Sequence, residues 1–142
     1  MATTVNNTTV NSRITIIFDA AGDLDGNGPA KGTGNTESDV YLDSTVYHNI
    51  RSHTEIDANV HALQWSATTN TGEIQYIDNR DNLDISSFPQ WATNVVIRCE
   101  AQDAWQTAYD GHADANTEDD SAAVTAANTA RTNYLTAHSI TY

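Results

Sequence analysis

Two runs of alternating apolar and polar residues, "VHALQWS" and "GEIQYID", lie within residues 60–78 and restrict the fold more than any other feature. A period of two residues is typical of a strand that buries one of its faces. The segment between the runs is mostly polar and is followed by Gly72, so it favours a turn. We therefore predict an antiparallel hairpin of strands 60–66 and 72–78. On one face of this hairpin we expect an apolar patch of Leu63, Trp65, Ile74 and Tyr76.

A lone hairpin is marginally stable in water, so further strands are expected to pack beside it. The β-branched and aromatic run "RITIIF" at 13–18 predicts one of them. The segment "VYLDSTVYHNI" at 40–50 alternates well and predicts one long strand or two short ones. By that alternation, one face would carry Val40, Leu42, Val46 and Ile50, and the other would carry Tyr41 and Tyr47.

Two helices are predicted after the strands. The segment 90–110 fits a helix, although "VVIRC" within it is also a strand signal and leaves that alternative open. The segment 117–138 is rich in Ala and carries acidic residues in its first turn, where they favour a helix start. Its small residues suit close packing against the preceding helix, which predicts a helical hairpin.

A chain of 142 residues fits one domain. The expected fold class is α+β: a small antiparallel sheet followed by two C-terminal helices. Residues 1–12, composed mostly of Thr, Asn and Val, are predicted to form an N-terminal arm or an added strand. Residues 13–142 are predicted to form the single domain, mainly β over 13–78 and mainly helical over 87–138.

The charge balance excludes some partners. Six basic residues face 19 acidic ones, which gives a formal net charge of −13. A nucleic-acid binder needs a cationic surface to displace counterions from phosphates, and an anionic membrane surface would repel this chain. We therefore expect neither nucleic acid nor a membrane as a partner. Solubility and life at high ionic strength both remain explanations of the acidity.

The start of the chain lacks a basic segment followed by an apolar one, so no signal peptide is expected. No run approaches the ~20 apolar residues that span a bilayer. The single cysteine, Cys99, excludes an intrachain disulfide and is interpreted as a small buried residue.

The best candidate for a metal site is "DLDGNG", in which Asp23, Asp25 and Asn27 occupy alternate positions as in a calcium loop. Lys31 and Gly34 stand where the second half of such a loop needs ligands, so a Gly/Asp turn is the preferred interpretation. The five histidines lack close metal-binding spacing. We predict no metal and no cofactor.

No nucleophile elbow, phosphate loop, dinucleotide fingerprint or zinc-protease motif occurs, so the prediction is that the chain is not an enzyme. The large aromatic residues are interpreted as core or interface residues rather than as a carbohydrate platform. The candidate interface residues are Trp91, Trp105, Tyr134 and Tyr142.

The segment "VHALQW…GEIQY", followed by "LDISSFPQWATNV", resembles small tail-region proteins of tailed bacteriophages. Their pattern is an extended V/I-x-A-V/L-Q-W strand, then G-x-I-E/Q-Y/F, a short linker and a helix that begins with an aromatic residue. The resemblance covers about a quarter of the chain and leaves residues 1–57 and the last helix outside it. The matching residues are Val60, Ala62, Leu63, Gln64, Trp65, Gly72, Ile74, Gln75 and Tyr76, with Trp91 at the helix start.

The resemblance implies a structural protein of the virion, made in the host cytoplasm and located in the tail as a baseplate, fibre-attachment or fibre component. Its expected partners are copies of itself and other tail or baseplate subunits. The N-terminal arm and the C-terminal helix are expected to make these contacts. The alternatives are a tail-fibre assembly chaperone, a capsid decoration protein, and a calcium-dependent or carbohydrate-binding module.

Overall fold

The computed structural model describes residues 2–18, 37–51, 59–76, 80–112 and 121–141. The calcium-loop candidates Asp23, Asp25 and Asn27, together with Tyr142, lie outside the described residues. The described residues form eight strands and two helices, and the predicted α+β fold class is confirmed. The strands are β1 (Thr3–Val5), β2 (Thr8–Val10), β3 (Arg13–Phe18), β4 (Glu37–Leu42), β5 (Thr45–Arg51), β6 (Val60–Ser66), β7 (Thr71–Tyr76) and β8 (Leu83–Ile85). The helices are α1 (Gln90–Asp110) and α2 (Ser121–Ala137).

The chain divides into two compact units, Met1–Val96 and Ile97–Tyr142, and the boundary falls inside α1. The first unit contains the strands and the first turns of α1. The second contains the rest of α1 and α2.

In the first unit, six described strands form one antiparallel sheet in the order β5-β4-β3-β6-β7-β8, which we call the main sheet. The predicted hairpin is present as β6 and β7, in which Leu63 faces Ile74 and Trp65 faces Gly72. Between this hairpin and α1, the described residues include β8 as a short edge strand. Leu83 and Ile85 of β8 pair with Ile74 and Gly72.

The segment 40–50 forms two strands, and its predicted division into faces is wrong. Asp43 and Ser44 form a two-residue turn, so Tyr41 pairs with Val46 and Val40 pairs with Tyr47. Paired residues project to the same side of a sheet, so the turn moves Val46 to the side of Tyr41. A register shift follows, with Asn49 at a φ of 56°, and it returns Ile50 to the side of Val40.

The main sheet has one apolar face, called here the inner face. The side chains of Ile14, Ile16, Phe18, Val40 and Leu63 are fully buried there. Phe88 and Trp91 also pack on this face, with Phe88 edge-on to Trp65 at 5.3 Å between ring centroids and Trp91 5.8 Å from Phe18. The opposite side, the outer face, carries the alternate residues of the same strands, among them Arg13, Thr15 and Gln64.

Residues 2–12, predicted as an arm, form a β-hairpin with its own two-stranded sheet. Asn6 in its tight turn has a φ of 53°, which Asn tolerates better than most residues. Val5 and Val10 are buried, so this N-terminal hairpin packs as part of the first unit.

The helix prediction over 90–110 is met by α1, and the strand alternative for "VVIRC" is excluded. Pro89 immediately precedes this helix, and its carbonyl accepts hydrogen bonds from the N–H groups of Ala92 and Thr93. In the second unit α1 and α2 pair as an antiparallel helical hairpin. Its small core consists of Ile97, Ala101 and Leu135, with Tyr134 and Ile140 packed against it.

Candidate functional site

The hairpin patch predicted from the sequence lies on the inner face of the main sheet. Leu63, Trp65 and Ile74 are buried, and Tyr76 is half-buried with the Arg80 guanidinium 4.3 Å from its ring centroid. Position 72, beside this patch, has no room for a side chain. A Cβ there would lie 2.6 Å from the Gln64 carbonyl oxygen and 2.8 Å from Cε3 of Trp65. The patch and its glycine therefore have a role in folding.

A hydrogen-bonded chain joins the N-terminal hairpin to the β6–β7 hairpin. The Trp65 indole N–H donates to Thr3 Oγ1 over 3.0 Å, and the Thr3 hydroxyl donates to Asn70 Oδ1 over 2.6 Å. Buried indole and hydroxyl groups need such partners, since an unsatisfied donor costs about 1–3 kcal/mol. These two hydrogen bonds connect residues that are far apart in the sequence, and the sequence alone did not predict them.

Asp43, in the turn between β4 and β5, holds the segment that leads into β3. Its carboxylate accepts hydrogen bonds from the backbone N–H groups of Asn11, Ser12 and Arg13 at 2.9, 2.7 and 3.0 Å. The bonds from Asn11 and then Arg13 contribute most to holding the pKa of the Asp43 carboxyl below its usual range. The sequence did not predict this contact, because it joins residues that are 30 to 32 positions apart.

The outer face carries a polar groove of about 330 Å³ across β3, β6, β7 and β8, which we call the outer groove. It is open to solvent rather than enclosed. The polar side chains that line it are Arg13, Gln64, Ser66, Thr71, Glu73 and Asp84. No pattern in the sequence predicts this groove, because strand pairing alone brings the six residues together.

Charge in the outer groove is separated from one side to the other. Arg13 lies on β3, and Glu73 and Asp84 face each other on β7 and β8. Arg13 and Asp84 are exposed. Gln75 Nε2 and Asn82 Nδ2 both donate to Glu73 Oε1, at 3.3 and 3.2 Å, and so orient that carboxylate. The groove can therefore bind an anionic group at one side and a cationic group at the other.

The candidate interface aromatics have intramolecular contacts. Trp91 lies against Phe18 on the inner face. In the second unit, the Trp105 indole N–H donates to Asn128 Oδ1 over 2.8 Å, and the Tyr134 hydroxyl donates to Glu100 Oε1 over 3.0 Å. Trp105 also stacks on Tyr109, with 7° between the ring planes. Trp91, Trp105 and Tyr134 are each partly buried.

Two of the described histidines have local polar contacts. His48 Nδ1 is 3.3 Å from Asp39 Oδ1 at the surface, and His138 Nδ1 is 2.9 Å from the Tyr134 carbonyl. His61 lies on β6 and His112 follows α1, while His53 is outside the described residues. Within the described ranges, no three His, Cys, Asp or Glu side chains are grouped so that they could hold a metal ion.

Cys99 is fully buried in α1. Burial, with Asp103 and Glu100 nearby, raises the pKa of its thiol far above the usual range. The thiolate is the nucleophilic form, so the folded chain holds this cysteine in its unreactive state.

Among the described helices, none is both long enough and apolar enough to cross a membrane. Comparison of the chain with protein-family models, with curated proteins and with solved structures finds no match.

Proposed function

We propose that the chain is a non-enzymatic structural protein of a tailed bacteriophage virion. Its place is the tail, as a baseplate, fibre-attachment or fibre component, and it acts through contacts between subunits. The observation that carries this proposal is the position of the residues behind the resemblance. Leu63, Trp65 and Ile74 fill the inner face, and Gly72 leaves room for the Trp65 ring. The residues of the shared pattern therefore stabilise the fold, as expected of a structural subunit.

The outer face supports a role in assembly. It presents the charged outer groove beside the apolar side chains of Ile17 and Val46, which are 37% and 41% exposed. Interfaces between subunits combine apolar contacts with a polar surround. The inner face of the main sheet is packed, whereas the outer face is accessible. The outer face can therefore provide a subunit contact.

The acidity of the chain fits the same role. A net charge of −13 keeps free copies apart through repulsion until specific contacts form. Such a protein needs local complementarity to assemble, because its overall field opposes association. The separation of charge across the outer groove provides that complementarity.

The test is quantitative mass spectrometry of purified particles of the phage that encodes the chain, with copy number scaled to the major capsid protein. The proposal predicts a small multiple of three or six copies, since tail parts follow rotational symmetry. Hundreds of copies would instead assign the protein to the capsid. Absence from particles, with presence in infected cells, would contradict a virion role and support an assembly chaperone.

A further inference from the structure

We infer that the outer groove binds the outer groove of a second copy of this chain, related by a two-fold axis. In this arrangement Arg13 of each copy meets Glu73 and Asp84 of the other. The inference deepens the proposed function and rests on it, because it names the surface and the partner through which subunit contacts are made. It follows from how charge is placed in the groove.

A groove with a cation at one side and carboxylates at the other is complementary to itself. In a two-fold interface, if residue i meets residue j, then j also meets i. A rotation of 180° therefore places Arg13 of each copy against the carboxylates of the other, which gives two equivalent sets of ion pairs. Arg13 has no ion pair with another described residue, and Asp84 has no side-chain hydrogen bond within the described ranges. Each is thus available to a partner.

The strand register fixes where the axis lies. Arg13 pairs with Ser66 and Ser66 pairs with Thr71, whereas Gln64 pairs with Glu73. Arg13 and Glu73 are therefore two strands and two residues apart, about 12 Å between Cα atoms in a flat sheet. A two-fold axis that places Arg13 of one copy opposite Glu73 of the other runs parallel to the sheet, along the line that bisects this separation at right angles. That line crosses β6 between Gln64 and Ser66, at the centre of the groove.

The same line passes close to Ile17, which lies two residues after Thr15 on β3 and is 37% exposed. A two-fold axis there would place Ile17 of one copy against Ile17 of the other. Burying this exposed side chain adds an apolar contact beside the two sets of ion pairs. Val46, on edge strand β5, lies about 10 Å from the line by the same strand spacing.

A charge-swap experiment with the full chain tests the inference. Arg13→Glu and Asp84→Arg are each made alone, and self-association is measured by sedimentation velocity over a concentration series. Each single variant would place like charges opposite each other, so its self-association should weaken at least about tenfold relative to the native chain. Asp81→Arg makes the same charge change as Asp84→Arg on an exposed residue outside the groove, and should associate like the native chain or more tightly.

Mixing the two single variants gives the decisive result. In a heterodimer, Glu at position 13 meets Arg at position 84, and the native Asp84 meets the native Arg13. The equimolar mixture should therefore dimerise more tightly than either variant does alone. An effect within one chain cannot produce this recovery, and circular dichroism of each variant verifies folding. A native chain that stays monomeric, or a mixture that does not recover, would overturn the inference.

The axis position has its own test. Ile17→Cys should be joined to a second copy by a short bismaleimide, whereas Val46→Cys should not, and buried Cys99 leaves the native chain as a blank. Crosslinking of Val46→Cys in preference to Ile17→Cys would overturn the placement. A chain present in tail particles but monomeric in the mixing test refutes this inference alone, whereas a dimerising chain absent from particles refutes the proposed function alone.

Discussion

The inner and outer faces of the main sheet are built from the same strands, yet they differ in almost every property. On β3, Ile14 and Ile16 are fully buried, while Arg13 is exposed and Ile17 is 37% exposed. On β6, Leu63 is fully buried beside half-buried Gln64. A step of one residue along a strand thus separates a side chain that stabilises the fold from one that is available to a partner. Changes on the two faces should therefore affect different measurements.

The largest expected effect is on the inner face at Leu63. Truncation by Leu63→Ala removes a fully buried side chain and should lower the free energy of unfolding by about 3 kcal/mol. The matched outer-face change is Gln64→Ala at the next residue, which should stay within about 0.5 kcal/mol. Urea unfolding followed by circular dichroism measures both. Equal losses at the two positions would contradict the distinction between the faces.

Gly72→Ala should give the next largest loss, about 2 kcal/mol, because the new methyl group overlaps the Gln64 carbonyl and the Trp65 ring. The neighbouring outer-face change Thr71→Ser keeps the hydroxyl and should be close to neutral. Thermal unfolding of the two variants sharpens the comparison within one strand. A neutral Gly72→Ala would mean that Trp65 can move aside without cost.

The chain of hydrogen bonds from Trp65 through Thr3 to Asn70 should contribute less. Thr3→Val keeps the side-chain shape but removes the hydroxyl, and should destabilise the fold by about 1 kcal/mol. A double-mutant cycle with Trp65→Phe isolates the indole–hydroxyl pair. We expect a coupling energy of about 1 kcal/mol, and additive losses would show that the pair contributes nothing.

The smallest expected effect depends on pH and concerns Asp43. Its pKa is lower in the folded chain than in the unfolded one, so its contribution to stability is present above about pH 4 and is lost as pH falls through the folded pKa. Asp43→Asn tolerates the same positive φ but lacks the charge. The native chain should be more stable than this variant at pH 7, and the difference should vanish in acid. A difference that is constant with pH would contradict the assigned role.

Local patterns predicted much of this fold. The period of two residues identified β6 and β7, the β-branched and aromatic run at 13–18 identified β3, and the helix predicted over 90–110 has the bounds of α1. The inner-face patch followed from the same pattern, because the alternation of one hairpin determines which side chains share a face. These features depend on residues that are close in the sequence.

Features that depend on pairing could not be predicted in this way. The two-residue turn at Asp43 inverted the assignment of Val46, since one turn changes the face of every residue after it. The outer groove combines Arg13 with Asp84, which are 71 positions apart by their numbers and meet only through the order β3-β6-β7-β8. Asp43 likewise binds backbone 30 to 32 residues earlier.

The central claim is that the outer face is a contact surface between copies. Hydroxyl-radical footprinting of the full chain at low and high concentration tests it most directly, residue by residue. We expect Ile17 to lose reactivity as the concentration rises, while Leu83, which is exposed and pairs with inner-face Ile74, keeps its reactivity as an internal reference. Unchanged reactivity of Ile17, or protection of Leu83 instead, would contradict it.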